Sequence, residues 1–571
     1  MTLWLKIKKF SFTHSDSLAF GLIILATLLR FILIYFNWPA TNSDEGNMGV
    51  LARHIAYNGE WPIFFYGGQY LGPLEGYLAA PLFHLFGPSL FTLRLGLLPF
   101  YPLFLLCMYY LTRRLYTQKF ALFIVALLCV GSNETILRQV KAVGEYPETI
   151  FFAAMISLLI VWLVQTAPTV EPSQRTNWRR TLIYALLGVI IGVAVWVDML
   201  ILPVIGTGFL LLFLFCRREL RSKSGIGLII GMALGGFPLI IYNLTAPLDQ
   251  NSLVVLYNLQ HSNGNQPHTL LQQIVGMISI SLPDVMNFNP GCIKDVATLL
   301  QSQPTACVVA QVSWGAGYLV LYGLALVTTG SIVWRMWRET LHWKQIESFE
   351  QRAKIVRDCC RLMLLVSAGG TILAYVTSPN PATVPGPTAR YLTCLLIALP
   401  AVLWPLWNGI LSQAQIRSMN WRSVISRAIV AVQVGILLLF LVMSLVGTYR
   451  TFEEIPSAQS FYSMQNELVQ HLMAIGATRF YSEYWTCNRL IFQSDEQLIC
   501  SSLDNNLAPG FDRYSPYRAA VRAAKNPAYV FPKNAPQIAA MDRQLHTLKQ
   551  TYQREEFSDY VIYYVPRLTG A

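Results

Sequence analysis

Eleven times in its first 450 residues this chain carries an apolar run of about 17 to 22 positions: 17-36, 90-111, 120-136, 149-165, 181-197, 199-215, 225-242, 312-333, 359-377, 391-409 and 428-447. About 20 helical residues cross roughly 30 Å of hydrocarbon, where every backbone polar group must be satisfied internally. The expected fold is therefore a multi-pass α-helical membrane protein with about 11 transmembrane helices. Composition agrees, since 54% of the 571 residues are hydrophobic and 13% charged, against roughly 25% charged in a soluble domain. The first run is too long for the core of a cleavable signal peptide, and no small-residue cleavage site follows it.

A net charge of +12 raises nucleic acid as a partner, but the basic residues do not form one patch. With the N-terminal KIKK in the cytoplasm, 23 Lys and Arg fall in the inner segments 1-16, 112-119, 166-180, 217-224, 334-361 and 410-427. Only Arg53, Arg138, Lys141, Lys294 and Arg390 fall in the external loops 37-89, 132-148, 243-311 and 378-390. This asymmetry is the positive-inside rule, so the basic excess sets orientation and implies no nucleic acid. The rule also makes 181-215 cross twice, turning near Trp196-Val197-Asp198 at or slightly below the outer surface, because 17 residues reach only about 25 Å.

An odd number of spans ends the transmembrane domain, 1-447, with the rest of the chain outside. Residues 448-571 are more polar and read as an extracytoplasmic α/β domain. Apolar strand-like runs occur at RFYSEYW, RLIFQ, QLICSS, AYVF and DYVIYYV, and helical patterns at YSMQNELVQHLMAIGA and YRAAVRAAK. Four of the ten cysteines are external, and they form two local pairs, Cys292 with Cys307 and Cys487 with Cys500. An oxidising compartment would join each as a disulfide, free thiols being the alternative. No cysteine or histidine spacing marks a zinc site.

Polar residues expected at the outer surface come in four groups. The loop 37-89 carries Asp44, Glu45, His54 and Glu60, then FFYGGQYLGP with Tyr70, then Glu75. Asp44 and Glu45 also suit the N-terminus of a helix as a plain solvated pair. The loop SNETILRQVKAVGEYPETI interleaves Glu134, Glu145 and Glu148 with Arg138 and Lys141. Asp198 stands alone in near-continuous apolar sequence, a costly place for an acid unless it faces a cavity or a partner. The Pro-rich loop before the tenth run ends in Arg390-Tyr391, which equally suits an interface anchor. Arg94 opens the second run, and Arg30, inside the first, either snorkels outward or has a role.

Carboxylates and cations on one face, beside a membrane that stores long-tailed substrates, suit sugar transfer from a lipid-linked donor. The acceptor hydroxyl needs a carboxylate base, the oxocarbenium-like centre a stabilising carboxylate, and the departing phosphate cations or hydrogen-bond donors.

The same residues resemble the polytopic GT-C glycosyltransferases, in particular the bacterial group similar to dolichyl-phosphate-mannose protein mannosyltransferases, glycosyltransferase family 39. The likeness covers about 17 to 450 and is carried by SDEGNMGVLARHI, FFYGGQYLGPLEGYLAAPLFHLFGPSLFTLRL, GEYPETIFF, GVAVWVDMLILP and ARYL. It implies Asp44 as catalytic base, with Glu45 as neighbour or substitute, and Glu145 as the second-loop acid, many relatives having Asp there. Glu148, Asp198, Tyr70, Glu75, Arg94, Arg138, Lys141, Arg390 and Tyr391 are the substrate-binding candidates. The donor implied is a polyprenyl-phosphate monosaccharide, used in an inverting single displacement on the outer face of the plasma membrane. The acceptor is a glycan, a lipid or a protein. Some enzymes of this class use a divalent cation, for which the sequence shows no decisive site. A transporter or flippase of lipid-linked saccharides, or an inactive glycan-binding member, is the alternative. Transporters place ionisable groups near the midplane on repeated helices, whereas the acids here gather in the outer loops.

Overall fold

The computed structural model describes residues 13–168, 178–262, 268–288, 292, 304–339, 349–414, 421–548 and 552–566. The stretch KIKK and Lys294 lie outside the described residues. Among these, eight helices are long and apolar enough to cross a membrane: His14–Tyr35, Leu90–Leu115, Tyr146–Gln165, Trp178–Val197, Thr305–Glu339, Glu350–Val376, Leu395–Ser412 and Val424–Ala474. Two bent pairs, Gln118–Cys129 with Asn133–Val140 (85°) and Lys223–Gly235 with Phe237–Thr245 (67°), bring the number to ten if each pair is one span. The run at 199-215 forms a shorter apolar helix, Met199–Phe215. The chain is a helical membrane protein.

The 85° bend frees backbone groups that other elements then satisfy, as a break at membrane depth requires. Thr448 accepts from the Gly131 N–H (2.9 Å) and donates to the Gly131 carbonyl (3.1 Å), while Asn287 accepts from the Ser132 N–H (3.1 Å). Arg30 does not snorkel. It is fully buried, donates to the Cys129 carbonyl (2.6 Å) and twice to Gln139 Oε1 (3.1 and 2.8 Å), and so ties both arms of the bend to the first helix.

The Trp178–Val197 and Lys223–Gly235 helices touch backbone to backbone. A Cβ at Gly188 would lie 2.2 Å from the Leu228 carbonyl oxygen, one at Gly231 2.2 Å from that of Ala185, and one at Gly235 2.2 Å from that of Val189. Small residues at four-residue spacing permit this approach in a membrane, where packing rather than water drives association. Gly231→Leu is expected to destabilise by about 1–3 kcal/mol. Gly206→Leu, where a side chain meets nothing within 4 Å, is expected to be neutral, and melting temperatures in detergent compare the two.

The helix Trp421–Glu453 runs past the expected boundary at 447, and after Glu454 the chain continues as Ile455–Ala474. Five strands follow: β1 (Arg479–Ser482), β2 (Ile499–Ser502), β3 (Ala528–Pro532), β4 (Gln553–Phe557) and β5 (Tyr560–Tyr564). Their order is β2-β1-β3-β5-β4, parallel among the first three and antiparallel in β3-β5 and β5-β4. The run RLIFQ, expected as a strand, is instead the end of the Tyr484–Gln493 helix. That helix is capped by Glu483 and buries Thr486, Cys487, Leu490 and Ile491 at helical spacing. Strand β4, QREEF, has too little apolar alternation to be read from sequence. Both external cysteine pairs are disulfides, Cys292–Cys307 and Cys487–Cys500.

Candidate active site

The first loop folds into the helix Ser43–Arg53, capped by Asn42, whose Oδ1 accepts from the Glu45 N–H (3.0 Å). Ser43, Gly46 and Gly49 recur every third position and give this helix a flat side. The outer-domain helix Tyr484–Gln493 lies against that side. Ser43 Oγ accepts from the Asn488 N–H (3.1 Å), and a Cβ at Gly46 would fall 2.5 Å from the backbone of Asn488 and Arg489. At Gly49 it would fall 2.6 Å from the Phe492 ring.

The adjacent acids Asp44 and Glu45 point apart and have different surroundings. Glu45 is fully buried and accepts two hydrogen bonds from Arg94, Nε to Oε1 (2.7 Å) and Nη2 to Oε2 (2.6 Å), and a third from the Ala142 N–H (3.1 Å). Arg94, also fully buried, donates to the Pro39 carbonyl as well (2.7 Å). Glu45 and Arg94 thus pair with each other, Arg94 Nη1 having no hydrogen bond among the described residues, and join the first loop, the second span and the second acidic loop. Burial pushes the Glu45 carboxyl up, but Arg94, Lys141 and the Ala142 N–H together hold it below the usual carboxylate range.

Asp44 is only half-buried. Its Oδ1 accepts from Arg513 Nη2 (2.8 Å) and from the Tyr484 hydroxyl, both residues of the outer domain. Among the described residues nothing is hydrogen-bonded to its Oδ2. Neither Arg513 nor Tyr484 is marked by any sequence signal. The segment FDRYSPYR has no motif, and the contact exists only because the outer domain folds back over the first loop.

Behind Asp44 the second loop brings in buried charge. Lys141 donates to the Ala40 carbonyl (2.8 Å), and burial pulls its ammonium down although Glu45 opposes. The Gly144 N–H donates to Glu75 Oε2 (2.8 Å). Glu145 follows at φ 85°, a left-handed conformation that turns its carboxyl under the loop at the start of the Tyr146–Gln165 helix. One turn on, Glu148 is fully buried, and among the described residues neither of its carboxyl oxygens nor Glu75 Oε1 has a hydrogen-bond partner. Asp198, at the turn between two helices, accepts from Thr149 Oγ1 (3.0 Å) and from the Leu200 N–H (2.8 Å). Four acids from three separate segments thus form one buried cluster. Among the described residues, no group of three or more His, Cys, Asp or Glu is disposed to hold a metal ion.

The cluster raises its own carboxyls. Burial, then the facing Glu148, pushes Glu75 well above the usual range, and burial, then Asp198, does so for Glu145 against the pull of Arg390. A carboxyl kept protonated in the fold above its ordinary value of 4.5 contributes stability that is complete below that pH and is lost as pH rises towards the folded value. Thermal stability is therefore expected to fall with rising pH above 4.5, and the Glu75→Gln, Glu145→Gln double variant to show a shallower slope; parallel melting curves would contradict the assignment.

Arg390 completes the group, with its guanidinium 5.4 Å from the Tyr146 ring centre and 5.5 Å from that of Tyr391, and with a buried Nε that has no hydrogen bond. Tyr70, from the glycine-rich motif, lies in the field of both Arg390 and Arg513 and so links the cluster to the Asp44 side. Arg138 sits deeper, 3.6 Å from Glu134, and lines a small cavity with Tyr146, Ile150 and Thr393. His54 and Glu60 belong to a separate interdomain network. His54 contacts the Tyr66 hydroxyl and Glu496 Oε1 (2.9 Å each), and Glu60 accepts from Tyr66 (2.6 Å).

No family model and no curated protein sequence matches the chain. Solved structures do. ArnT from Cupriavidus metallidurans in the apo state aligns with a TM-score of 0.52 at 12% identity, over 97% of this chain and 98% of that one. ArnT from the same organism bound to undecaprenyl phosphate aligns at 0.50 and 13%, over 97% and 99%. At such identities the likeness is one of fold, and it spans the helical body and the outer domain together. The chain shares the fold of ArnT.

Proposed function

We propose that this chain is a glycosyltransferase that moves a monosaccharide from a polyprenyl-phosphate carrier to an acceptor by an inverting single displacement. The reaction takes place at the outer face of the plasma membrane, with the N-terminus cytoplasmic and the 448-571 domain extracytoplasmic. The observation that carries this reading is a carboxylate whose Oδ2 has no hydrogen bond among the described residues, Asp44, linked through Tyr70 to a buried cluster of acids and cations. That a protein of the same fold, ArnT, binds undecaprenyl phosphate supports it.

In this reading the donor's phosphate is held by Lys141 and Arg390, with Arg138 deeper along the same path, so that negative charge developing on the leaving oxygen meets fixed cations. Tyr391 flanks the phosphate. Glu145, Glu148, Asp198, Glu75 and Tyr70 hold the sugar hydroxyls. The protonated acids of the cluster donate hydrogen bonds, and those still ionised accept them. Asp44 takes the proton from the acceptor hydroxyl as its oxygen bonds to C1. The C1–O bond breaks on the opposite side, and its electron pair leaves on the polyprenyl phosphate. Glu45 and Arg94 shape the loop and touch neither substrate.

The test is incubation of the purified chain in lipid nanodiscs with radiolabelled polyprenyl-phosphate sugars and a mixed acceptor extract. Free carrier phosphate released in step with labelled acceptor is expected. Translocation of labelled lipid across vesicles without release would replace this reading by the flippase.

A further inference from the structure

Nothing above requires the outer domain to work in catalysis, yet it supplies both groups that touch the proposed base. Arg513 is held on all sides. Its guanidinium lies 4.9 Å from the Phe65 ring centre, 4.8 Å from that of Phe511 and 5.7 Å from that of Tyr484. Its Nε donates to the Tyr484 hydroxyl (2.8 Å), its Nη1 approaches the Tyr66 carbonyl (3.4 Å), and its Nη2 donates to Asp44 Oδ1 (2.8 Å). Gly67, at φ +76°, leaves room for it, since a Cβ there would fall 2.9 Å from Arg513 Cδ. A guanidinium fixed in this way, with the Tyr484 hydroxyl on the same oxygen, holds Asp44 Oδ1 in place.

We infer that Arg513 and Tyr484 are positioning residues for the reaction. They engage Oδ1 of Asp44 from the outer domain, so that Oδ2 faces the acceptor hydroxyl and takes its proton. The inference rests on the glycosyltransferase reading and assigns the outer domain a part in it. The first glycine of the GG in FFYGGQYLGP, Gly67, then has a physical purpose, which is to let the arginine reach the acid past the loop.

The test uses the full-length chain with Arg513→Ala, Arg513→Lys and Gly67→Ala. For Arg513→Ala, kcat is expected to fall about a hundredfold, the usual cost of a slightly misplaced group, with donor KM near the wild-type value. Arg513→Lys keeps the charge but cannot hold Asp44 Oδ1 and the Tyr484 hydroxyl together, so it recovers only part, and added guanidinium ion restores activity to Arg513→Ala but not to Gly67→Ala, where the arginine is present and displaced. A second readout needs no turnover: carbodiimide labelling of Asp44, followed by mass spectrometry, is expected to run several-fold faster in Arg513→Ala. Unchanged labelling, or activity losses that follow melting temperature with no guanidinium rescue, would overturn the inference. If the wild type turns over no donor, the glycosyltransferase reading fails and the labelling comparison alone decides whether Arg513 controls Asp44.

Discussion

Asp44→Asn is expected to lower kcat for sugar transfer by about 10²- to 10⁴-fold, the range for loss of a general base, while leaving fold and donor binding in place. The amide oxygen can still accept from Arg513 and Tyr484, so the contact that docks the outer domain survives. What is lost is the second oxygen's ability to take a proton. Turnover of radiolabelled donor by wild type and variant, with donor affinity measured separately, checks both halves. A drop in affinity with kcat unchanged would move Asp44 from base to binding group.

Glu45, one residue on, is expected to behave differently. Its carboxylate and Arg94 are both fully buried and bonded to each other, to the Pro39 carbonyl and to the Ala142 N–H. Removing one member leaves an uncompensated buried charge, so Arg94→Ala is expected to cost about 3–5 kcal/mol. Replacing both by Met is expected to recover much of that, because two charges need no desolvation once both are gone. Melting temperature and yield of monodisperse protein read the effect. An Arg94→Ala protein as stable as wild type but unable to bind donor would make Arg94 a phosphate ligand after all.

The contrast between these neighbours shows where sequence reading reached its limit. The apolar runs were legible because a bilayer tolerates few alternatives, and each of the eleven runs falls on helical segments. The bend at 129–133 was not legible, since it depends on Thr448, Asn287 and Arg30 reaching in from elsewhere. The grouping of Glu75, Glu145, Glu148 and Asp198 could be anticipated only as acids on one side of the membrane. Their burial against one another is a tertiary fact. RLIFQ misled because three apolar residues in a five-residue run have no period long enough to separate strand from helix. Arg513 and Tyr484 left no trace because they lie more than 400 residues from Asp44 in the chain.

The central claim is that one site, formed by Asp44 and the buried cluster behind it, takes a lipid-linked sugar. A cryo-electron microscopy structure of the chain with a non-hydrolysable polyprenyl-phosphonate sugar analogue tests it most directly. The account predicts the phosphonate against Lys141 and Arg390, the sugar among Glu75, Glu145, Glu148 and Asp198, and Asp44 Oδ2 open to the face of C1 opposite the phosphonate. The analogue bound between the spans away from Asp44, or on the outer domain alone, would contradict it.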